Sequence, residues 1–442
     1  MPADWTQSSI GRLIDELGGD IQTGPFGTKL KASEYTPDGV PVISVREVHY
    51  GRLTLHEDTP RVNDSITGRM PEFLLREGDI VFGRKGAVDR SARVQVDQAG
   101  WFLGSDGIRL RLPDSCNSAF VAYQLQQKAH RAWMLQHAAG STMPSLNEDV
   151  IRRIPVVFAP IEEQRAIAAV LGSLDGKIEQ NRRTSQALES LARATFKAWF
   201  VDFEPVKAKV ADAAGFPGMP PSAFAALPNR LVLSPLGPVP EQWTIGTIDE
   251  ISTVSKQNLN PQDHGDETFE HFSIPAYDAG QVPVVEPGSG IMSQKFVVVP
   301  GCVLLSKLNP RIPRVWIPAP AKRGRQIAST EFLVIVPRPD FTREFLYCLF
   351  QQAEFRASLA QSASGTSNSH QRVRPGDLLA LPLAVPPKSM LGAFTDQVAP
   401  QIELWEALQA ESSKLSEIRD YLLPLLLSGR VRVPPSQPEE VA

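Results

Sequence analysis

Apolar residues recur with alternating steps of four and three along two long stretches of the chain, and both stretches share one register. In the first, the recurring positions are Ile167, Leu171, Leu174, Ile178, Asn181, Ser185, Leu188, Ala192, Thr195 and Trp199. In the second they are Phe394, Val398, Gln401, Trp405, Leu408, Ser412, Leu415, Arg419, Leu422 and Leu426. Laying Pro160 on Pro387 superimposes the two without a gap. A period near 3.5 keeps one stripe of a helix facing its partner over many turns. The pattern therefore predicts two long helices, 161–204 and 388–430, packed on each other as an antiparallel pair. At roughly 40 residues and 1.5 Å per residue, each is a rod of about 60 Å.

Local signals refine the expectation. Pro160 suits the first turn, and Glu162 and Glu163 place negative charge at the positive end of the helix dipole. The second stretch has Lys388 and Ser389 there instead, and Pro400 falls inside its periodic region. An interior proline removes a hydrogen bond and crowds the preceding turn, so a break or bend is expected near 398–401 and again at Pro424. Gly429 is a natural stop.

The segments before the two helices change period. Residues 1–160 read as a mixed α/β domain, with a helix from Ile10 to Leu17 and a turn-rich stretch at 23–28. Short strand candidates follow at 41–45, 79–82, 92–96 and 108–112, then a helix at 120–137 and a small-residue loop at 139–147. Residues 241–387 repeat this order. Trp243 stands as Trp5 does, 300–305 as 77–82, 329–332 as 105–108, and 345–360 repeats the helix. Residues 205–240 are rich in Pro, Ala and Gly and read as a wandering connection, and 431–442 as a disordered tail. The fold class is thus α+β or mixed α/β: two globular domains separated by a coiled-coil spacer, in an internal pseudo-twofold repeat.

Composition adds exclusions. The 442 residues are 42% hydrophobic and 21% charged, enough for real cores. No apolar run is long enough to span a bilayer, and the first residues lack a signal pattern, which points to a cytoplasmic protein. Cys116, Cys302 and Cys348 lie far apart, fit reduced thiols and give no zinc spacing. A net charge of -4 argues against nucleic-acid binding through bulk positive charge, though not against local basic strips. No enzyme site is legible. The segment 172–178 lacks the spacing and the Ser or Thr of a phosphate-binding loop, 288–293 fails as a dinucleotide fingerprint, and no Asn-Pro-Pro-aromatic or Asp-Pro-Pro-aromatic run occurs. His130 and His137, on one helical face, read as packing or surface residues.

Several phrases together resemble the specificity (S) subunits of type I restriction-modification enzymes. They are Pro160-Ile161-Glu162-Glu163-Gln164-Arg165, Trp199-Phe200-Val201-Asp202-Phe203-Glu204-Pro205-Val206, Gly218-Met219-Pro220 and Leu422-Leu423-Pro424-Leu425-Leu426-Leu427-Ser428-Gly429. The resemblance implies a non-catalytic subunit in which 1–160 and 241–387 are target-recognition domains, each reading half of a bipartite site on double-stranded DNA. Pseudo-twofold repetition suits half-sites about 34 Å or somewhat more apart. It further implies two methyltransferase (M) subunits docked on the helices, each flipping an adenine, and nuclease-translocase (R) subunits joining that core. No cofactor is expected in this chain; S-adenosylmethionine would belong to M, and ATP with Mg2+ to R. A coiled-coil scaffold that holds two partners without reading DNA is the alternative.

Base edges are read by Arg, Lys, Asn, Gln, Ser and Thr. Matched strips after one strand of each half supply Arg84, Lys85, Arg90 and Arg93, and Lys307, Asn309, Arg311 and Arg314. The loops before the long helices supply Ser141, Thr142 and Asn147, and Thr366, Asn368, His370 and Arg372; Arg46 is a further candidate. For helix packing or partner docking the candidates are Ile167, Leu171, Leu174, Ile178, Leu188, Trp199, Phe200, Phe394, Val398, Trp405, Leu408, Leu415, Leu422 and Leu426.

Overall fold

A computed structural model describes residues 2–27, 29–140, 143–363 and 371–434. The chain forms two compact units, one from Met1–Gln180 with Ser412–Ala442 and the other from Asn181–Glu411. Their division falls inside both long helices rather than at their ends.

The first unit begins with strand Thr6–Ser9, antiparallel to Pro155–Phe158. Ser9 caps the helix Ile10–Leu17 by accepting from the Arg12 amide. The main sheet orders Asp20–Thr23, Gly107–Arg111, Ile80–Gly83 and Ser91–Arg93, antiparallel throughout. Strand alternation sends Ile80 and Phe82 into one apolar cluster with Ile10, Ile108 and Leu125, and Val81 into another with Val42 and Phe102. Fully burying a side chain of this size stabilises the fold by about 1.5–3 kcal/mol.

The second unit repeats this plan from different residues. Thr244–Thr247 pairs antiparallel with Pro382–Val385. Its four-stranded sheet orders Ser252–Ser255, Phe332–Pro337, Val303–Ser306 and Val315–Trp316, which is the same topology. Val303 and Leu305 face one cluster and Leu304 the other. Even the closing bonds match: the Ile10 amide donates to the Ile154 carbonyl at 3.1 Å, and that of Ile248 to Leu381 at 3.0 Å. A parallel pair also recurs, Val40–Ile43 beside Phe102–Leu103 and Thr268–Phe272 beside Arg325–Ala328. The mixed α/β class and the repeat are therefore structural facts.

Both long helices form, with corrections. The first is α-helical over Ile161–Phe196 and then widens into a π turn at Lys197–Val201. The extra residue in that turn lets adjacent Trp199 and Phe200 both turn inward. Phe203 then takes a left-handed φ of 52°, and a separate helix, Glu204–Val210, follows. The second runs unbroken over Lys388–Leu427, so neither Pro400 nor Pro424 interrupts it. Pro400 lies on the exposed face, and the Gln401 side-chain amide donates to the Gln397 carbonyl at 3.0 Å, one of the acceptors a proline disturbs. Gly429, at φ 69°, stands just beyond its end.

The helices expected at 120–137 and 345–360 are each two. They are Ser118–Gln126 with Lys128–His137, and Arg343–Phe350 with Ala353–Gln361; extended residues Gln127 and Gln352 turn the chain between them. The connection expected over 205–240 carries the helices Glu204–Val210 and Pro221–Ala225 and a hairpin of Leu231–Ser234 with Gly237–Pro240. Val206, Met219, Phe224, Leu227 and Val239 enter the second unit's core, so enough apolar side chains punctuate this Pro-rich stretch to pin it down. The start of the expected tail is also held. Arg432 bridges Asp4 and Glu163, and Val433 packs near Trp5 and Leu426; 435–442 lie outside the described residues.

The three cysteines are buried and free, and burial pushes the Cys302 thiol up to about 12. Among the described residues no helix is long and apolar enough to cross a membrane, and no group of side chains is placed to hold a metal ion.

Candidate nucleic-acid interface

The two strips that the sequence offered separately form one frame in each unit. Where Ile80–Gly83 leaves the first sheet, the Arg84 amide donates to the Asp106 carbonyl at 2.9 Å. The Leu146 amide returns to the Arg84 carbonyl at 2.8 Å, and Gly86 donates to Pro144 at 2.9 Å. Lys85 and Ser145 thereby face each other across a short bridge. In the second unit Lys307 donates to the Glu331 carbonyl at 2.8 Å, Val373 to Lys307 at 3.1 Å, and Asn309 to Gln371 at 3.0 Å. Leu308 and Arg372 form the corresponding bridge. Gly86 and Asn309 take matching positive φ values of 74° and 50°, a conformation open to Gly and tolerated by Asn.

Equivalent positions carry different side chains. Lys85 lies 3.5 Å from Asp106, whereas the second unit has Leu308 there and puts its cation on the facing strand, where Arg372 meets Glu331 at 2.9 Å. That hydrogen bond is the main cause holding the Glu331 carboxyl below its ordinary pKa. Burial, meanwhile, pulls the Lys307 ammonium below its usual value. Arg84 lies over the exposed ring of Phe26, 4.9 Å from its centroid, and donates to the Ser105 carbonyl. Arg90 faces Tyr50 at 5.8 Å.

Other candidates have evident structural partners. Asn147 caps the helix Glu148–Arg152 by accepting from the Val150 amide at 2.9 Å. Arg93 binds Ser118 and Glu77, and Arg46 binds Asp58. Arg314 makes a two-pronged pair with Asp278 at 2.7 and 2.8 Å, its side chain only 11% exposed. Arg311 is exposed. Ser141, Thr142, Thr366, Asn368 and His370 lie outside the described residues. Sequence reasoning missed Phe26 and Tyr50, since a single aromatic in a loop carries no periodic signal. It also missed Arg131, which lies 3.7 Å from the centroid of the Tyr50 ring and bonds Asp89 at 2.9 Å.

Comparisons with known proteins agree with this duplicated plan. A family described as the type I restriction modification DNA specificity domain matches residues 19–190. The HindI specificity subunit of Haemophilus influenzae is 24% identical over 97% of this chain and 100% of its own length. The MjaIX specificity subunit of Methanocaldococcus jannaschii is 22% identical over 98% and 95%. The crystal structure of the type I restriction-modification S subunit from M. genitalium shares the fold with a TM-score of 0.57 at 15% identity, covering 96% of each chain. Over nearly its whole length the chain is similar to the specificity subunits of type I restriction enzymes.

In this chain the helix positions predicted to pack are inside or half-buried. Ile167 and Leu171 join Trp5, Phe120, Leu426 and Leu427 in the first unit, with Leu422 against them. Within that unit Arg419 meets Asp175 at 2.8 Å, and Tyr123 donates to the same carboxylate at 2.7 Å. In the second unit Phe394, Val398 and Trp405 share a core with Trp199 and Phe200, and Leu188 packs against it. There Asn181 donates to Glu411 at 2.7 Å. Both registers are antiparallel. Leu174, Ile178, Leu408 and Leu415 are half-buried.

Proposed function

We propose that this chain is the DNA-reading, non-catalytic member of a type I restriction-modification complex, each unit recognising one half of a bipartite site. The observation that carries this is the repeated loop frame. One backbone hydrogen-bond scaffold presents Arg84 and Lys85 in one unit and Lys307, Asn309 and Arg372 in the other. A common frame with exchanged side chains can yield two different readings, because donors and acceptors at base edges set sequence while the scaffold sets position. Arg46, Arg90, Arg93, Arg311, Arg314, Ser141, Thr142, Asn147, Thr366, Asn368 and His370 complete the candidate set. Two methyltransferase subunits, binding S-adenosylmethionine, dock on the long helices, and nuclease-translocase subunits supply ATP- and Mg2+-dependent cleavage. The methyltransferase partners flip the target adenines, since a base inside the duplex is out of reach.

The test is a map of N6-methyladenine in cells carrying the chain with its methyltransferase, compared with cells lacking only this chain. A two-part motif with a constant gap that vanishes on deletion supports the reading. Exchanging residues 307–314 and 371–373 should then alter one half of the motif and leave the other intact. An unchanged map in cells where the complex assembles overturns it in favour of a scaffold.

A further inference from the structure

The internal repeat supplies its own comparison for one basic position. Helices Lys128–His137 and Ala353–Gln361 follow equivalent helices, and each has an arginine fourth in line whose amide donates to the residue before the helix, Arg131 to Gln127 and Arg356 to Gln352, both at 3.0 Å. The equivalent positions Met134 and Leu359 are both buried, which confirms the alignment.

The surroundings of the two arginines differ. Arg131 is bound by Asp89 and stacked on Tyr50, whose hydroxyl also donates to Asp89 at 2.9 Å. Burial works against the Asp89 charge, yet the bonds from Arg131 and Tyr50 keep it ionised. Its positive partner is thereby spoken for. Around Arg356 no such acid is present among the described residues. Its Nε is shut off from solvent and meets no hydrogen-bond partner there. The loop that carries Asp89 in the first unit carries Arg311 in the second, and Arg311 and Arg356 line one cleft of about 430 Å³ with Ala353, Ala357, Ala360 and Gln361.

Two arginines thus border one cleft whose remaining lining is three alanines and Gln361, with no carboxylate among them. Such forks match the oxygens of a phosphate, and small side chains let a bulky backbone approach closely. Arg311 belongs to the loop offered above as a DNA reader, so the cleft is continuous with that frame. We propose that Arg311 and Arg356 clamp a phosphodiester group of duplex DNA in the second unit alone, and that the first unit has no such clamp because Asp89 holds Arg131. The inference rests on the DNA-reading function proposed above and adds a positioning contact to it.

The experiment uses the full chain assembled with its methyltransferase subunits and a duplex bearing its methylated motif. Binding is measured from about 50 to 200 mM salt, where each phosphate contact contributes close to one unit of slope in log K against log salt. Arg356→Ala and Arg311→Ala should each lower that slope by about 1 and weaken specific and random duplexes alike, and Arg356→Ala should leave the methylated motif unchanged. Arg356→Lys should retain most of the slope. Because Arg311 is exposed, its variant tests the clamp even if the Arg356 variants fold poorly. Unchanged slopes in both alanine variants, with wild-type binding still steeply salt-dependent, overturn the clamp and leave the reading function standing. So does a changed motif in the Arg356→Ala complex, which would make Arg356 a base reader, or weakened methyltransferase binding, which would assign the cleft to a protein carboxylate. A wild-type complex that binds no duplex instead refutes the DNA-reading function itself.

Discussion

Two half-buried imidazoles respond to pH in the same direction. His130 bonds the Pro155 carbonyl through Nε2 at 2.9 Å while its Nδ1 is buried without a partner, and burial lowers its pKa. His271 is lowered for the same reason, against the opposing pull of Glu286 at 2.7 Å. Each is neutral in the fold and must gain a proton at lower pH in the unfolded chain, where the value is about 6.5. Their stabilising effect is complete above that value and is lost as pH falls from there through the folded values. Between pH 7 and 5 the melting temperature of the wild type should therefore drop more steeply than that of a His130→Gln, His271→Gln double variant. Equal slopes in thermal melts would remove this explanation. Carboxylates such as Asp89 and Glu331, held low, lose their contribution only at more acidic pH. At this scale the sequence was partly legible. Asn147 followed by Glu148 and Asp149 carries a helix-start signal that the reading of Asn147 as a loop residue passed over, whereas nothing local told that Arg314 would find Asp278 far away in the chain.

At the scale of elements, the heptad stripe did most to define the fold, because it needs only side-chain spacing. Leu171→Ala, deep in the first unit, should destabilise that unit by about 2–5 kcal/mol, since it removes methylenes from a closed cluster. Leu191→Ala, on a residue 52% exposed, should stay within about 0.5 kcal/mol. Urea unfolding followed at the two units separates these outcomes, and equal losses would contradict the seam. The π turn at Lys197–Val201 was illegible because its surroundings are tertiary: Trp199 and Phe200, adjacent in the chain, both reach Phe394, with ring centroids 6.1 and 5.1 Å away. Pro400 misled for a related reason. Burial of Phe394, Val398, Ile402 and Trp405 on either side of it outweighs the propensity of a single residue.

At the scale of the molecule, the two units solve one topology with different anchors. Trp5 donates to Glu163, which Arg432 also binds, whereas Trp243 has no acceptor among the described residues and rests on Phe200 and Phe203. The helix alignment explains this, since Met390 stands where Glu163 does. Arg432→Ala should lower the melting temperature of the first unit by a few degrees. Amide exchange at strands 303–306 and 332–337 of the second unit should stay as slow as before, and faster exchange there would show that the clasp supports more than its own unit. The first unit also has a consequence for how the protein is made. Its Trp5, Ile167 and Leu171 wait for Leu426 and Leu427, whereas every residue of the second unit has been synthesised by Glu411. The part translated first is thus completed last. At ribosomal speeds of about 5–20 residues per second, its apolar cleft stays open on the order of ten seconds or longer, within reach of chaperones and proteases.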